Sequence, residues 1–288
     1  MEAGMDYQYL TLTTDSRGVS SLVMNRPQLA NAFDEVMIAE LIHALESLAR
    51  DPACRVLLLK ANGKHFSAGA DLNWMRKQAA MDFDDNLKDA AELARLMATL
   101  DQFPKPSLAL VQGAAFGGAL GLVCCCDIAI ATPKASFCLS EVKLGLIPAV
   151  ISPYVRRAMG ERQARRYMLT AERFDAEAAK TLQLVHQVAD DLDAAAAPLI
   201  ESLLGNSPQA LNWCKQLISD IRHGLIDEQT LALTGEAIAR IRVSAEGQEG
   251  LNAFFEKRPP NWQGTSNNPG SNSSCNPGNS SNPPERRD

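Results

Sequence analysis

At 288 residues with 46% hydrophobic side chains, the chain can bury one sizeable core. A formal net charge of −6 and an isoelectric point near 5.4 argue against nucleic acid or an anionic membrane surface as a partner. No uninterrupted apolar run is long enough to cross a bilayer, and Met1–Tyr9 shows neither a signal peptide's basic and apolar regions nor the arginines of a transit peptide, so a cytoplasmic location is expected.

In chain order, Tyr9–Thr13 and Val19–Met24 alternate as two strands, with Asp15-Ser16-Arg17-Gly18 as the turn between them. Asp34 reads as an N-cap: Met37, Ile38, Leu41, Leu45 and Leu48 then recur at helical spacing, up to Pro52. A buried strand follows over Val56–Lys60, and Asp71 opens a short helix. Met81–Asp85 is expected as a polar, mobile connection to an amphipathic helix over Leu87–Leu100, which Pro104 and Pro106 end. The next unit is a strand over Ser107–Val111, a glycine turn, a helix over Gly118–Cys125 and a strand over Ile128–Ala131.

From Ile151 onward the pattern turns helical. Short helices are predicted near Ser152–Met159, Glu161–Leu169 and Asp175–Thr181, with one last strand at Val185–Val188. Four longer helices follow, over Asp191–Leu204, Pro208–His223, Gln229–Ser244 and Ala245–Glu256. Thr265–Pro284 is almost entirely Ser, Asn, Pro and Gly, so 264–288 is expected as a disordered tail without chemistry.

The seven cysteines are odd in number, and Cys124, Cys125 and Cys126 are consecutive in an apolar run. They read as small core hydrophobes in a reducing compartment rather than a disulfide framework. Adjacent helix positions point in different directions and no His pair lies nearby, so no metal site is expected.

Two stretches carry candidate chemistry. Leu108–Val111 runs through Gly113, Gly117 and Gly118 into a helix, whose first N–H groups are free and whose dipole is positive there. Val56–Lys60 likewise runs into a glycine-containing turn and the helix at Asp71. Each could be a tight turn with glycines for packing. Alternatively, each offers one backbone N–H, and two such groups converging on a carbonyl oxygen make an oxyanion hole.

Several motifs carry a resemblance. They are Asn25-Arg26-Pro27 with Asn31-Ala32; Phe66-Ser67-Ala68-Gly69-Ala70-Asp71-Leu72; Gly113-Ala114-Ala115-Phe116-Gly117-Gly118-Ala119; and Cys126-Asp127-Ile128-Ala129-Ile130-Ala131. Further on come Phe137–Val142 with Leu144–Pro148, and Glu246-Gly247 through Phe254–Arg258. In this order, over about residues 7 to 263, the chain resembles the enoyl-CoA hydratase/isomerase (crotonase) superfamily. The resemblance implies an α/β fold: a spiral of repeated ββα units over 1–195, then a C-terminal helical trimerisation region over 196–263. It implies trimers, often paired into hexamers, and an acyl group carried as a coenzyme A thioester with no separate cofactor. The oxyanion donors would be the amides of Ala70 and Gly118, and Glu141 would exchange a proton with the acyl chain. Gln28, Ala68, Asp71, Leu72, Gly117 and Gly121 would line the substrate site, and Lys257 matches a lysine that would meet CoA phosphate across a subunit boundary. The apolar run around Glu141 independently predicts a desolvated carboxylate with a raised pKa.

Three positions depart from the family pattern. Gly121 stands where hydratases carry a second glutamate; Asn73 stands where many members have a basic residue, which Arg76 or Lys77 could replace; and Ala149-Val150-Ile151-Ser152 replaces a glycine-rich turn. A lone glutamate suits double-bond isomerases, which shuttle one proton. The detailed pattern, including Leu169–Phe174 and Ala239–Arg242, nevertheless looks like bacterial methylglutaconyl-CoA hydratases, whose branch also lacks the second glutamate. A distal substrate carboxylate would need a cation, for which Arg76, Arg156 and Arg157 are candidates. Three functions therefore stand: a hydratase of a branched glutaconyl-CoA, an enoyl-CoA isomerase, and a non-catalytic CoA-ester-binding scaffold.

Overall fold

A computed structural model of the chain describes residues 6–221 and 226–263; the low-complexity segment 264–288 lies outside them. Nine strands and eleven α-helices are formed among the described residues. Strands β1 (Leu10–Thr14), β2 (Val19–Met24) and β3 (Val56–Ala61) precede β4 (Ser107–Val111), β5 (Ala114–Phe116) and β6 (Ile128–Ala131). Three short strands complete the set: β7 (Ser136–Cys138), β8 (Phe174–Asp175) and β9 (Gln187–Val188). The first helices are α1 (Glu35–Arg50), α2 (Leu72–Ala79), α3 (Phe83–Asp101) and α4 (Gly118–Cys125). After them come α5 (Ser152–Met159), α6 (Glu161–Thr170), α7 (Ala176–Thr181) and α8 (Leu192–Gly205). The last three are α9 (Pro208–Ile221), α10 (Glu228–Arg242) and α11 (Ala245–Glu256).

The larger sheet has the order β1-β2-β3-β4-β6-β9, with β1 antiparallel and the other neighbours parallel. Parallel neighbours need crossover connections, so the chain leaves the sheet after each strand and returns through helices. On the way it visits a second layer. There β5, β7 and β8 form a small sheet, and single bridges from Phe33 to Ala70 and from Ser67 to Ala115 extend it. Each excursion thus adds one main strand, one short extended segment and a helix, which builds the ββα spiral.

Strand periodicity divides the core. Leu57, Leu59, Ala109, Val111, Ala129 and Ala131 face the main cluster with α1, α3 and α4. Their alternates Val56, Leu58, Leu108, Leu110 and Ile130 face Ala196 and Ile200 of α8. Each fully buried leucine contributes about 1.5–3 kcal/mol, and the two faces together hold the sheet between helical layers.

The expected boundary between residues 195 and 196 falls inside α8, which packs onto the sheet rather than with the last helices. Arg55 ties the far end of α8 down by donating to the carbonyls of Leu204, Asn206 and Trp262. Helices α9, α10 and α11 instead pack chiefly on one another, and only Ala253 among them is buried. Ile218, Leu231, Ile238, Phe254 and Phe255 remain exposed on them.

The expected mobile connection at Met81–Asp85 is mostly helix. Asp82 caps α3 by accepting from the Asp85 amide, so α3 starts at Phe83, one turn before the apolar periodicity begins. Asp89 then fixes α3 to α2 by accepting from Trp74 Nε1 at 3.0 Å and Gln78 Nε2 at 2.6 Å.

Candidate active site

The segment Phe66–Leu72 threads between two neighbours in the small layer. Its Phe66 and Ser67 amides donate to Gln112 and Ala114, while Phe116 donates back to Ser67. On the other side the Phe33 amide donates to Gly69, and Asp71 donates to Phe33. The Gly69 amide donates to Ser67 Oγ, so the amides on both sides of Ala70 are taken up within the protein. Among the described residues, the amides of Ala70 and Gly118 donate to no protein acceptor. Gly118 is the first residue of α4, where free N–H groups are intrinsic to a helix.

Phe33 links these two positions. Its backbone holds the Ala70 strand, and its ring lies so close to Gly118 that a methyl group there would come within 3.3 Å of two ring carbons. Gly69 lies against the Phe116 carbonyl, so the two loops also touch directly. Phe33 is 2% exposed and was not among the residues singled out from sequence; its place directly after Asn31-Ala32 was the available signal.

Behind this pair lies a buried charge network. Arg26 donates to the Ala32 carbonyl and pairs with Asp34 at 3.0 Å and Asp71 at 3.1 Å, with its guanidinium over the Tyr9 ring. Asp34 caps α1 and Asp71 caps α2, so one arginine aligns the starts of both helices. Asn31 completes the brace: it accepts from the Arg26 amide and donates to the carbonyls of Asn62 and His65.

Glu141 starts a short 3₁₀ turn, Glu141–Leu144, directly after the buried Phe137–Leu139. The turn closes on Gly145, whose amide donates to the Glu141 and Val142 carbonyls. The Glu141 side chain points toward Gly117, where a methyl group would sit 3.2 Å from Oε1. Its Oε2 is shielded from solvent and meets no hydrogen-bond partner. Burial pushes the carboxyl pKa above its ordinary value, only partly offset by its own backbone amide. An unpartnered, desolvated carboxyl beside a free helix N-terminus can take and return a proton near an oxygen that gains negative charge.

Of the other residues expected at the site, Ala68 donates to Ala30, next to the turn Pro27–Leu29 that carries exposed Gln28. Leu72 is 68% exposed. Asp71 is different: its carboxylate is taken up by the α2 cap and by Arg26. Gly121 is buried under Ile151. Lys257 is exposed at the end of α11, in a left-handed conformation and without an ion pair among the described residues.

The candidate cations separate by place. Arg157 pairs with Asp101 and lines cavities of about 610 and 560 Å³ together with Cys124 and Cys126. That is the far end of α4 from Glu141, a helix of eight residues and so about 12 Å away. Arg156 pairs with Glu161, and Lys77 with Glu35. Among the described residues, Arg76 bonds Asn73 Oδ1 at 2.7 Å and makes no ion pair, on the helix that follows Ala70. The cysteine run is buried and free, with the Cys124 thiol pushed up to about 12 by burial. Among the described residues, no group of three or more His, Cys, Asp or Glu is placed to hold a metal ion. No described helix is long and apolar enough to cross a membrane.

The fold is an α/β spiral of ββα units that brings two unbonded loop amides and a half-buried glutamate to one place. Residues 14–265 match the Enoyl-CoA hydratase/isomerase family, and the chain belongs to it. The crystal structure of an enoyl-CoA hydratase from Shewanella pealeana is 68% identical, with a TM-score of 0.88, and the match covers 89% of this chain and 96% of that one. Pseudomonas aeruginosa AtuE is 36% identical at a TM-score of 0.84, covering 89% and 100% of the two chains. The 2,3-dehydroadipyl-CoA hydratase of Escherichia coli is 32% identical over 246 residues, 84% of this chain and 94% of its own.

Gly117 makes the first test of the geometry. Its φ of 54° and ψ of −123° strain any side chain, and a methyl group would press on Glu141 Oε1. Gly117→Ala is expected to cost about 1–3 kcal/mol in stability. If Glu141 is the group that moves the proton, the substitution should also lower kcat by about tenfold or more, with KM changed far less, because displacing such a group loses rate rather than affinity. Thermal melts and steady-state kinetics on an enoyl-CoA ester check both.

Proposed function

We propose that this protein is a hydratase that adds water across the 2,3 double bond of a branched glutaconyl-CoA such as 3-methylglutaconyl-CoA. Glu141 takes a proton from water as the water oxygen bonds to C3. The charge that gathers on the thioester oxygen rests between the amides of Ala70 and Gly118, each worth about 3 kcal/mol to the transition state. Glu141 then returns a proton to C2, which leaves a 3-hydroxy thioester and the enzyme unchanged. The single supporting observation is the orphaned Glu141 Oε2 beside the start of α4.

The distal carboxylate of such a substrate is supported by the sequence pattern of the branch. The name of the E. coli relative, a 2,3-dehydroadipyl-CoA hydratase, also denotes a thioester with a far-end carboxylate. Arg76 is the cation we assign to it, since Arg156 and Arg157 are held by Glu161 and Asp101. Gln28, Ala68, Leu72 and Gly117 line the approach, and Lys257 meets CoA phosphate from a neighbouring subunit. The exposed apolar residues of α9–α11 support assembly into a trimer or a dimer of trimers. No cofactor beyond the CoA carried by the substrate is needed, and the reaction belongs in the cytoplasm.

A second reading, isomerisation of a 3-enoyl-CoA, is favoured by one observation: no carboxylate rises from Gly121. A panel of 2-enoyl and 3-enoyl CoA esters, with and without a terminal carboxylate, separates the two. The hydratase reading expects loss of 2-enoyl absorbance, with kcat/KM higher for glutaconyl than for uncharged esters by up to about fivefold, since Arg76 is exposed and an exposed ion pair contributes up to about 1 kcal/mol. Deuterium exchange at C2 without a 3-hydroxy product selects the isomerase. CoA-ester binding with no turnover leaves a scaffold.

A further inference from the structure

Gly121 and Ile151 stand apart in the sequence as two unrelated departures from the family pattern. The structure joins them. A Cβ added at Gly121 would lie 2.4 Å from Ile151 Cγ2 and 3.0 Å from both Ile151 Cβ and Met97 Sδ. Non-bonded carbon atoms do not approach to 2.4 Å, so a side chain there forces a shift, and the crowding atom belongs to a stiff β-branched residue. Ile151 is 3% exposed at the N-terminus of α5, and Met97 is fully buried on α3. Gly121 lies one turn along α4 from Gly117 and Gly118, on the same face, because residues three and four apart stack on a helix. Gly117 in turn touches Glu141. Ile151 therefore fills the space one helical turn from the half-buried Glu141.

We propose that Ile151 is a specificity-determining residue that keeps this a one-carboxylate site: it fills the place a side chain at position 121 would need, so Glu141 alone handles the proton. This rests on the reading of Glu141 as the acid-base group. The wall packed against Gly121 is apolar core, formed by Ile151 and Met97, with no second ionisable group there among the described residues. The two positions form one lock. A glutamate at 121 fits only once Ile151 is reduced, and reducing Ile151 alone leaves a void.

A double-mutant cycle tests the lock. Gly121→Ala should lower the melting temperature by about 5 °C in the natural background, as expected for an overpacked core. In the Ile151→Gly background, the same change should lower it by less than about 1 °C. An equal drop in both backgrounds overturns the proposal. The chemical consequence is read from pH profiles of kcat/KM. The natural enzyme should follow one carboxylate ionisation, and the Gly121→Glu/Ile151→Gly double variant should show a second. A second ionisation in Gly121→Glu with Ile151 intact, or none in the double variant, also overturns it. Glu141→Gln is measured in both backgrounds. Full turnover there refutes the role of Glu141 itself, while the melting cycle still reports on the lock.

Discussion

Glu141→Gln is expected to lower kcat by about 100-fold to 10,000-fold, the range a positioned acid-base group supplies. The amide has nearly the same shape, so the 3₁₀ turn and the contact with Gly117 persist. KM for the CoA ester should change little, because the amides proposed as oxyanion donors are backbone groups that the substitution leaves in place. The pH dependence has a definite sign. Burial raises the folded-state pKa above the ordinary carboxylate value, so the active, ionised form of the free enzyme appears only as pH passes that raised value. The acidic limb of kcat/KM should therefore lie above the ordinary glutamate range and vanish in Glu141→Gln.

The same shift has a stability consequence. Between the unfolded and the raised folded pKa, the folded chain binds more protons than the unfolded one, so stability falls as pH rises across that window. Above it the folded protein carries a desolvated charge that Gln does not. Glu141→Gln should melt at the same temperature as the natural protein or higher at neutral pH. A variant that loses both activity and stability would mean that Glu141 holds the fold rather than moves a proton.

Phe33→Ala should cost about 3–5 kcal/mol, the usual loss for a buried aromatic ring, and lower the melting temperature by about 10 °C. Rate should fall as well. The ring presses on Gly118 while the Phe33 backbone holds Ala70, so removing the ring frees one donor of the pair to drift from the other. Phe33→Leu separates the effects. It keeps most of the apolar volume and so most of the stability, but loses the flat contact with Gly118. A kcat loss of about tenfold in Phe33→Leu, with near-normal melting, supports a positioning role. Rate and stability falling strictly together in both variants would reduce Phe33 to core packing.

The site was legible where chemistry writes itself into short runs. Glu141 stood out because a charged residue interrupts Phe137–Leu139 and Leu144–Leu146, and the structure indeed buries part of it without a partner. The turns at Gly113–Gly118 and Ala68–Asp71 stood out because strands ran into glycine and then into helices. Phe33 did not, since a lone aromatic residue is common, and Arg26 stood only within the Asn25-Arg26-Pro27 motif, with no partner legible. Their roles come from partners at positions 70, 71 and 118, far away in the chain. The extended segments β5 and β8 were also missed: at three and two residues they carry no period, and pairing with β7 alone makes them strands.

Local sequence by itself determined the cap at Asp34, the helix starts at Asp71 and Asp191, the buried strand at Val56–Lys60 and the helix after Gly117, because each depends on interactions within a few residues. Tertiary structure alone decided that Gly121 and Ile151 compete for one volume, that Arg157 lies at the wrong end of α4, and that α8 covers the sheet. The physical reason is the same in each case. Hydrogen bonds to the next turn are written in neighbouring residues, whereas excluded volume and distance between segments exist only once the chain has closed on itself.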